Sequence, residues 1–165
     1  MREYSVVKVV YKDKETFLIW YLDDEDGFLS LEQKLLMFKS DDEARVFAKE
    51  KSVELDAEIV EFDISHIFEQ IDRVELSENC NELINTWNLF SDIAKSLGEE
   101  FSGDIDEGLT NDIYHMLFSG CNLKVMKHEE YHPVFDDEDK EKCLSIFKDG
   151  LAMLDRQFDV FYAQP

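Results

Sequence analysis

The spacing of apolar residues changes near residue 65, and that change constrains the fold more than any other feature of the chain. Residues 4–11 and 16–22 are dense in Val, Ile, Phe, Trp and Tyr, the residues that suit a pleated, half-buried surface. The polar link 12–15 between them predicts an antiparallel hairpin. Residues 23–27 read as a turn with Gly27 free to take positive φ, and 28–38 carries at least one further strand, placed at 34–38. Ser40 through Glu43 has the form of a capping box, so a helix starts there and runs to about Val53, with Ala44, Phe47, Ala48 and Lys51 on one face. Residues 58–64 then alternate Ile59, Glu61 and Asp63 against Val60, Phe62 and Ile64, which predicts another strand with one face to the core. Strand, helix and strand in that order suggest a crossover.

After Ser65 the steps become three and four. Ile67, Phe68 and Ile71 form a short stripe. Leu83, Ile84, Trp87, Phe90, Ile93, Ala94 and Leu97 form a long one, closed by Gly98 as a helix terminator. Residues 109–118 predict a shorter helix with Ile113, Met116 and Leu117 inward, and 122–134, which contains Pro133, reads as an ordered loop. A last helix starts in the acidic run 136–139 and continues through Phe158, with Gly150 as an interior cost of about 1 kcal/mol relative to Ala. The expectation is a single α+β domain over 1–165, strand-rich in 1–64 and helical in 65–165. It has an antiparallel or mixed N-terminal sheet of about four strands with one crossover helix, and the helical half packs on that sheet.

Charge narrows the function. The 165 residues hold 39 acids against 17 Lys and Arg, a net charge of -22, which opposes compaction yet steers a basic partner inward and repels phosphate. Direct nucleic-acid and membrane binding are therefore disfavoured, and a basic protein is the expected partner. No stretch is apolar enough to span a bilayer and no secretion signal is visible. Cys80, Cys121 and Cys143, odd in number and widely spaced, read as reduced packing thiols in a cytoplasm. Three acidic clusters are candidate partner-binding positions: Asp23, Asp24, Glu25 and Asp26; Asp104, Asp106 and Glu107; and Asp136, Asp137 and Glu138. The last has a second explanation, because carboxylates at a helix start complement the dipole. None of the three matches a calcium-binding loop.

One motif points elsewhere. His128, Glu129 and His132 spell HExxH, which on a helix would set two imidazoles on one face for zinc and let the glutamate activate water. Pro133 directly after His132 argues against a helix there, and the segment reads as a surface loop. No nucleophile elbow, phosphate loop or dinucleotide fingerprint is present, so no catalytic residue, metal or cofactor is assigned. Trp87, Tyr114 and His115 lie on a helical stripe and read as core.

The stretches LLMFKSDDEARVFAKEK with AEIVEFDISHIFEQI, and LINTWNLFSDIAKSLGEEF with LTNDIYHMLFSGCNL, resemble small bacterial immunity proteins of the contact-dependent growth inhibition and polymorphic toxin type. The resemblance implies a cytoplasmic protein that binds its cognate toxin tightly and covers the toxin's active site or substrate path. The acidity adds that the toxin domain is basic, a DNase or RNase that presents cations to phosphate, and with no catalytic motif the expected role is non-enzymatic. The alternatives are a zinc-dependent hydrolase using the HEEYH segment and a nucleic-acid mimic that inhibits a DNA-binding protein. Oligomeric state is open at this level.

Overall fold

The computed structural model describes residues 2–73 and 76–165, with the side chains of residues 72 and 73 left out. The protein is α+β, with a mixed sheet in its N-terminal part and helices after it. Strands β1 (Glu3–Tyr11) and β2 (Lys14–Leu22) pair antiparallel from Glu3↔Leu22 to Tyr11↔Lys14. The turn is shorter than the sequence suggests: Lys12 and Asp13 alone make it, at φ 52° and 58°. Two left-handed residues match the twist of the flanking strands, so the ladder starts at Lys14.

The far edge of β2 carries two short strands, β3 (Gly27–Phe28) and β6 (Met37–Phe38). Between them a separate ribbon forms from β4 (Ser30–Leu31) and β5 (Lys34–Leu35), turning at Glu32 and Gln33 with φ 52° and 59°. The strand expected at 34–38 is thus split at Leu36, whose N–H bonds Leu29 O at 2.9 Å. Gly27 does not adopt positive φ. It is small because a Cβ there would stand 2.6 Å from Tyr21 Oη and 2.9 Å from Ser96 Oγ.

Helix α1 (Asp41–Glu50) follows β6, and β7 (Ile59–Asp63) returns parallel to β1 with Lys8 opposite Glu61. The main sheet therefore has five strands rather than about four, and β6–α1–β7 crosses over β2 and β1. Ser40 Oγ accepts from Glu43 N at 3.2 Å, but the Glu43 carboxylate returns to Lys39 N at 2.8 Å, one residue ahead of the cap. The helix ends before Val53 because Ser52 turns left-handed at φ 57°, and Ser52 N and Val53 N bond Lys49 O and Ala48 O at 3.1 and 2.8 Å. This is a Schellman closure with serine where glycine is usual.

The chain forms two compact units, one of residues 1–65, 92–99 and 155–165, the other of residues 66–91 and 100–154. In the first, Val6, Phe17 and Ile19 pack with Ala44 and Ala48 of α1. The opposite face meets the ends of two helices, α3 (Cys80–Leu97) and α5 (Asp137–Tyr162). Thr16 Oγ1 lies 2.5 Å from Tyr162 Oη, the Tyr11 and Phe158 rings meet at 5.9 Å with their planes tilted by 58°, and Ser96 Oγ accepts from Phe28 N at 2.7 Å. In the second unit, α2 (Ile67–Arg73) and α4 (Gly108–Gly120) join the remaining turns of α3 and α5. Its centre is aromatic: Phe147 meets Trp87 at 6.1 Å and Phe90 at 6.0 Å, both edge to face. Gly98 ends α3 as expected, at φ 66°, with Glu99 N on Ala94 O at 2.9 Å. Among the described residues no helix is long and apolar enough to cross a membrane.

Gly150 is where the sequence misleads. Helix propensity alone favours alanine there, but a Cβ at this buried position would drive into the Phe90 ring, itself held edge to face by Phe101 and Phe147. A ring fixed on both sides cannot yield, so Gly150→Ala should destabilise by about 1–3 kcal/mol, the usual cost of overpacking. Urea denaturation measures this; equal or greater stability would contradict it.

Candidate partner-binding surface

The three acidic clusters are not equivalent. At the turn after β2, Asp23 is already engaged: Arg2 Nε bonds its Oδ2 at 2.9 Å while the guanidinium lies 4.4 Å from the Tyr21 ring. The bond from Arg2, with the Asp24 N–H, holds the Asp23 carboxyl below its ordinary range. Asp26 turns inward to accept from Asp23 N at 3.3 Å. The carboxylates of Asp24 and Glu25 stand exposed with no partner among the described residues.

Beneath that turn lies an acid the sequence did not single out. Asp92 on α3 keeps 16% of its side-chain exposure and pairs with Lys95 at 3.7 Å. Burial raises its carboxyl above the ordinary range, and the charge of Asp26 adds to the rise. Trp20 Nε1 faces this carboxylate without reaching well-aligned hydrogen-bond geometry. Only contact order in space exposes this role, because Asp92 sits at a polar position of a helix stripe.

In the helical unit, Asp104 Oδ1 accepts from Ser91 Oγ at 2.6 Å, and Asp106 and Glu107 are exposed ahead of α4. Asp136 and Asp139 cap each other's amides at 2.9 Å, the reciprocal box that starts α5, and leave Asp137 and Glu138 to solvent. These two clusters lie at opposite ends of α4, since Gly120 at its far end abuts Pro133, just before Asp136. A helix of 13 residues separates them by roughly 20 Å. They do not merge into one patch. The acids left for a partner are therefore Asp24, Glu25, Asp106, Glu107, Asp137 and Glu138.

The loop after α4 has a different character. Asn122 pins it, donating from Nδ2 to Tyr131 O at 2.8 Å and accepting Tyr131 N on Oδ1 at 2.6 Å. The ordered loop expected over 122–134 is thus present, and it presents Leu123, Met126, Tyr131 and Val134 outward, the last at 87% exposure. Four exposed apolar side chains on one pinned loop make it a candidate contact segment for a partner. The sequence signal was weak because the segment has no period. Within it, the HEEYH residues form a single 3-10 turn (Lys127–Glu129) followed by extended chain. His128 and His132 point to solvent beside Glu129 and Glu130, each 3.9 Å away, so the helix that would align two imidazoles for zinc is missing. Trp87 is core, its Nε1 bonded to Gly103 O at 3.1 Å, and Tyr114 packs on it at 5.5 Å. His115, read as core, is exposed, because it falls one step off the inward stripe of α4.

No protein-family model matches the chain, and no curated protein matches it. Among solved structures, the crystal structure of the SatS C-terminal domain in complex with bromine is similar over 86% of this chain and 89% of that one, at 13% identity and a TM-score of 0.48. A likeness that distant carries no argument about function.

The raised Asp92 carboxyl has a signed consequence. Below the unfolded value of ~3.9 both states hold the proton and the site costs nothing; above it the unfolded chain ionises first, so stability falls as pH rises through the folded value. Asp92→Asn should therefore raise the urea midpoint at pH 7 and lose that advantage toward pH 4. A variant less stable than the parent at pH 7 would show that Lys95 outweighs burial.

Proposed function

We propose that the protein is a binding module of the immunity type: it docks a cognate basic toxin domain, a nuclease acting on DNA or RNA, and covers its active site. The observation that supports this reading is the set of exposed carboxylates without side-chain partners among the described residues, on a protein of net charge -22. A nuclease must present cations to phosphate, and carboxylates offered to those cations can occupy the same site. The exposed apolar loop supplies what charge cannot. Charges at a rim set encounter rate and register, whereas desolvated apolar and aromatic groups such as Tyr131 and Val134 slow dissociation. In this reading the protein acts in the cytoplasm and performs no chemistry of its own.

The test is inhibition and binding against a nuclease domain encoded beside this gene. Asp24→Lys with Glu25→Lys, and separately Asp106→Lys with Glu107→Lys, should lower the association rate several-fold at ~50 mM salt and much less at ~0.5 M, where the Debye length is only a few ångströms. Val134→Asp should chiefly raise the dissociation rate. A neighbouring nuclease that neither binds nor is inhibited would sink the proposal.

A further inference from the structure

The last strand of the main sheet, β7, pairs with β1, and no strand among the described residues pairs with its second side. Its polarity can be read from one bond: Ile64 N donates to Val10 O at 3.0 Å, and backbone direction alternates along a strand. Val60 and Phe62 therefore direct their peptide groups to β1, while the N–H and C=O of Ile59 and Glu61 face the open side with no backbone partner among the described residues. Ile59 and Val60 are also 41% and 39% exposed, although the sequence pattern expected one face of this strand to be core. An open edge with β-branched side chains is what proteins usually blunt with lysine, proline or a bulge. β7 has no lysine, proline or bulge, and the charges it carries, Glu61 and Asp63, are both acidic.

Charge says what could lie there. No Lys or Arg occurs between Lys51 and Arg73, while Glu54, Asp56, Glu58, Glu61 and Asp63 recur at steps of two or three through the approach and the strand. Lys8 bonds Glu61 at 2.7 Å and Arg45 bonds the carbonyls of Asp56 and Ala57 at 3.1 and 3.2 Å, so both cations reach this stretch from within the fold. A second copy would bring the same acids against these, a like-charge meeting across paired strands that is destabilising. A basic segment meets no such penalty.

We propose that β7 is a docking edge at which an extended segment of a protein partner, alternating basic and β-branched residues, adds a further strand to the sheet through the Ile59 and Glu61 peptide groups. Main-chain bonds supply affinity in such an addition and alternate side chains supply specificity. The inference rests on the basic-partner reading and assigns it a place distinct from the acidic turns.

The test uses the full chain at ~50 mM salt and three synthetic ten-residue peptides: alternating lysine and valine, alternating lysine and glycine with equal charge, and alternating glutamate and valine. The lysine–valine peptide should slow hydrogen exchange at the Ile59 and Glu61 amides at least tenfold and bind at least tenfold tighter than the other two. Ile59→Pro removes one outward donor without touching the β1 ladder and should weaken binding at least tenfold. If that variant fails to fold, the exchange measurement on the parent protein decides alone. Equal binding of both lysine peptides, with Ile59 and Glu61 exchange unchanged, overturns the edge while leaving the basic-partner reading standing. Protection by the glutamate–valine peptide, or a concentration-dependent dimer that Ile59→Pro abolishes, overturns it as well.

Discussion

Every strand of the main sheet pairs with either β1 or β2, so the antiparallel ladder between those two is the interaction on which the first unit depends. It closes through two left-handed residues, which fix its register, and register decides which side chains face which layer. Val6, Phe17 and Ile19 thereby meet α1, while Thr16 and Tyr11 meet the end of α5. A slip of one residue would exchange those sets. Lys8 adds a second restraint on the same face, bridging Glu15 at 3.4 Å and Glu61 at 2.7 Å, and so ties the parallel strand β7 to the hairpin.

The helical unit is held by close approach rather than by ladders. Gly120 admits the Cys80 thiol and Pro133, and Gly150 admits the Phe90 ring. Burial raises the Cys143 thiol to about 12 and the Cys80 thiol to about 11, which marks both as packing groups with little thiolate at neutral pH. Interior glycines and inert thiols have the same cause: helices packed closely enough that a methyl group or a charge has no room.

Acidity is distributed in a way that contiguous runs do not reveal. The runs at Asp23, Asp104 and Asp136 stand out in the sequence, yet each spends at least one carboxylate on its own fold, through Arg2, Ser91 or a reciprocal cap. The interleaved acids between Glu54 and Asp63 are less conspicuous because apolar residues separate them. Three of these are engaged as well, Asp56 by Ser5 Oγ at 2.9 Å, Glu61 by Lys8 at 2.7 Å and Asp63 by Ser65 N at 3.0 Å, so what distinguishes the stretch is its place beside the edge strand β7.

Periodicity was sufficient to place the hairpin, α1, the long α3 with its Gly98 terminator, α4 and α5, because each is dictated by local spacing and end chemistry. The α+β class follows from the same signals. Local sequence could not decide which edge of the sheet β7 would occupy, whether Val60 would be covered, or why Gly150 must be glycine. Those are set by residues far apart in the chain: the crossover that carries β7 past β2 to β1, and the Phe90 ring pressed against α5. The sequence by itself determined the elements and the surplus of negative charge. Only tertiary structure decided which carboxylates are consumed, which apolar groups of the 122–134 loop are displayed, and which strand lies at the sheet edge among the described residues, because partners for these are found in space rather than along the chain.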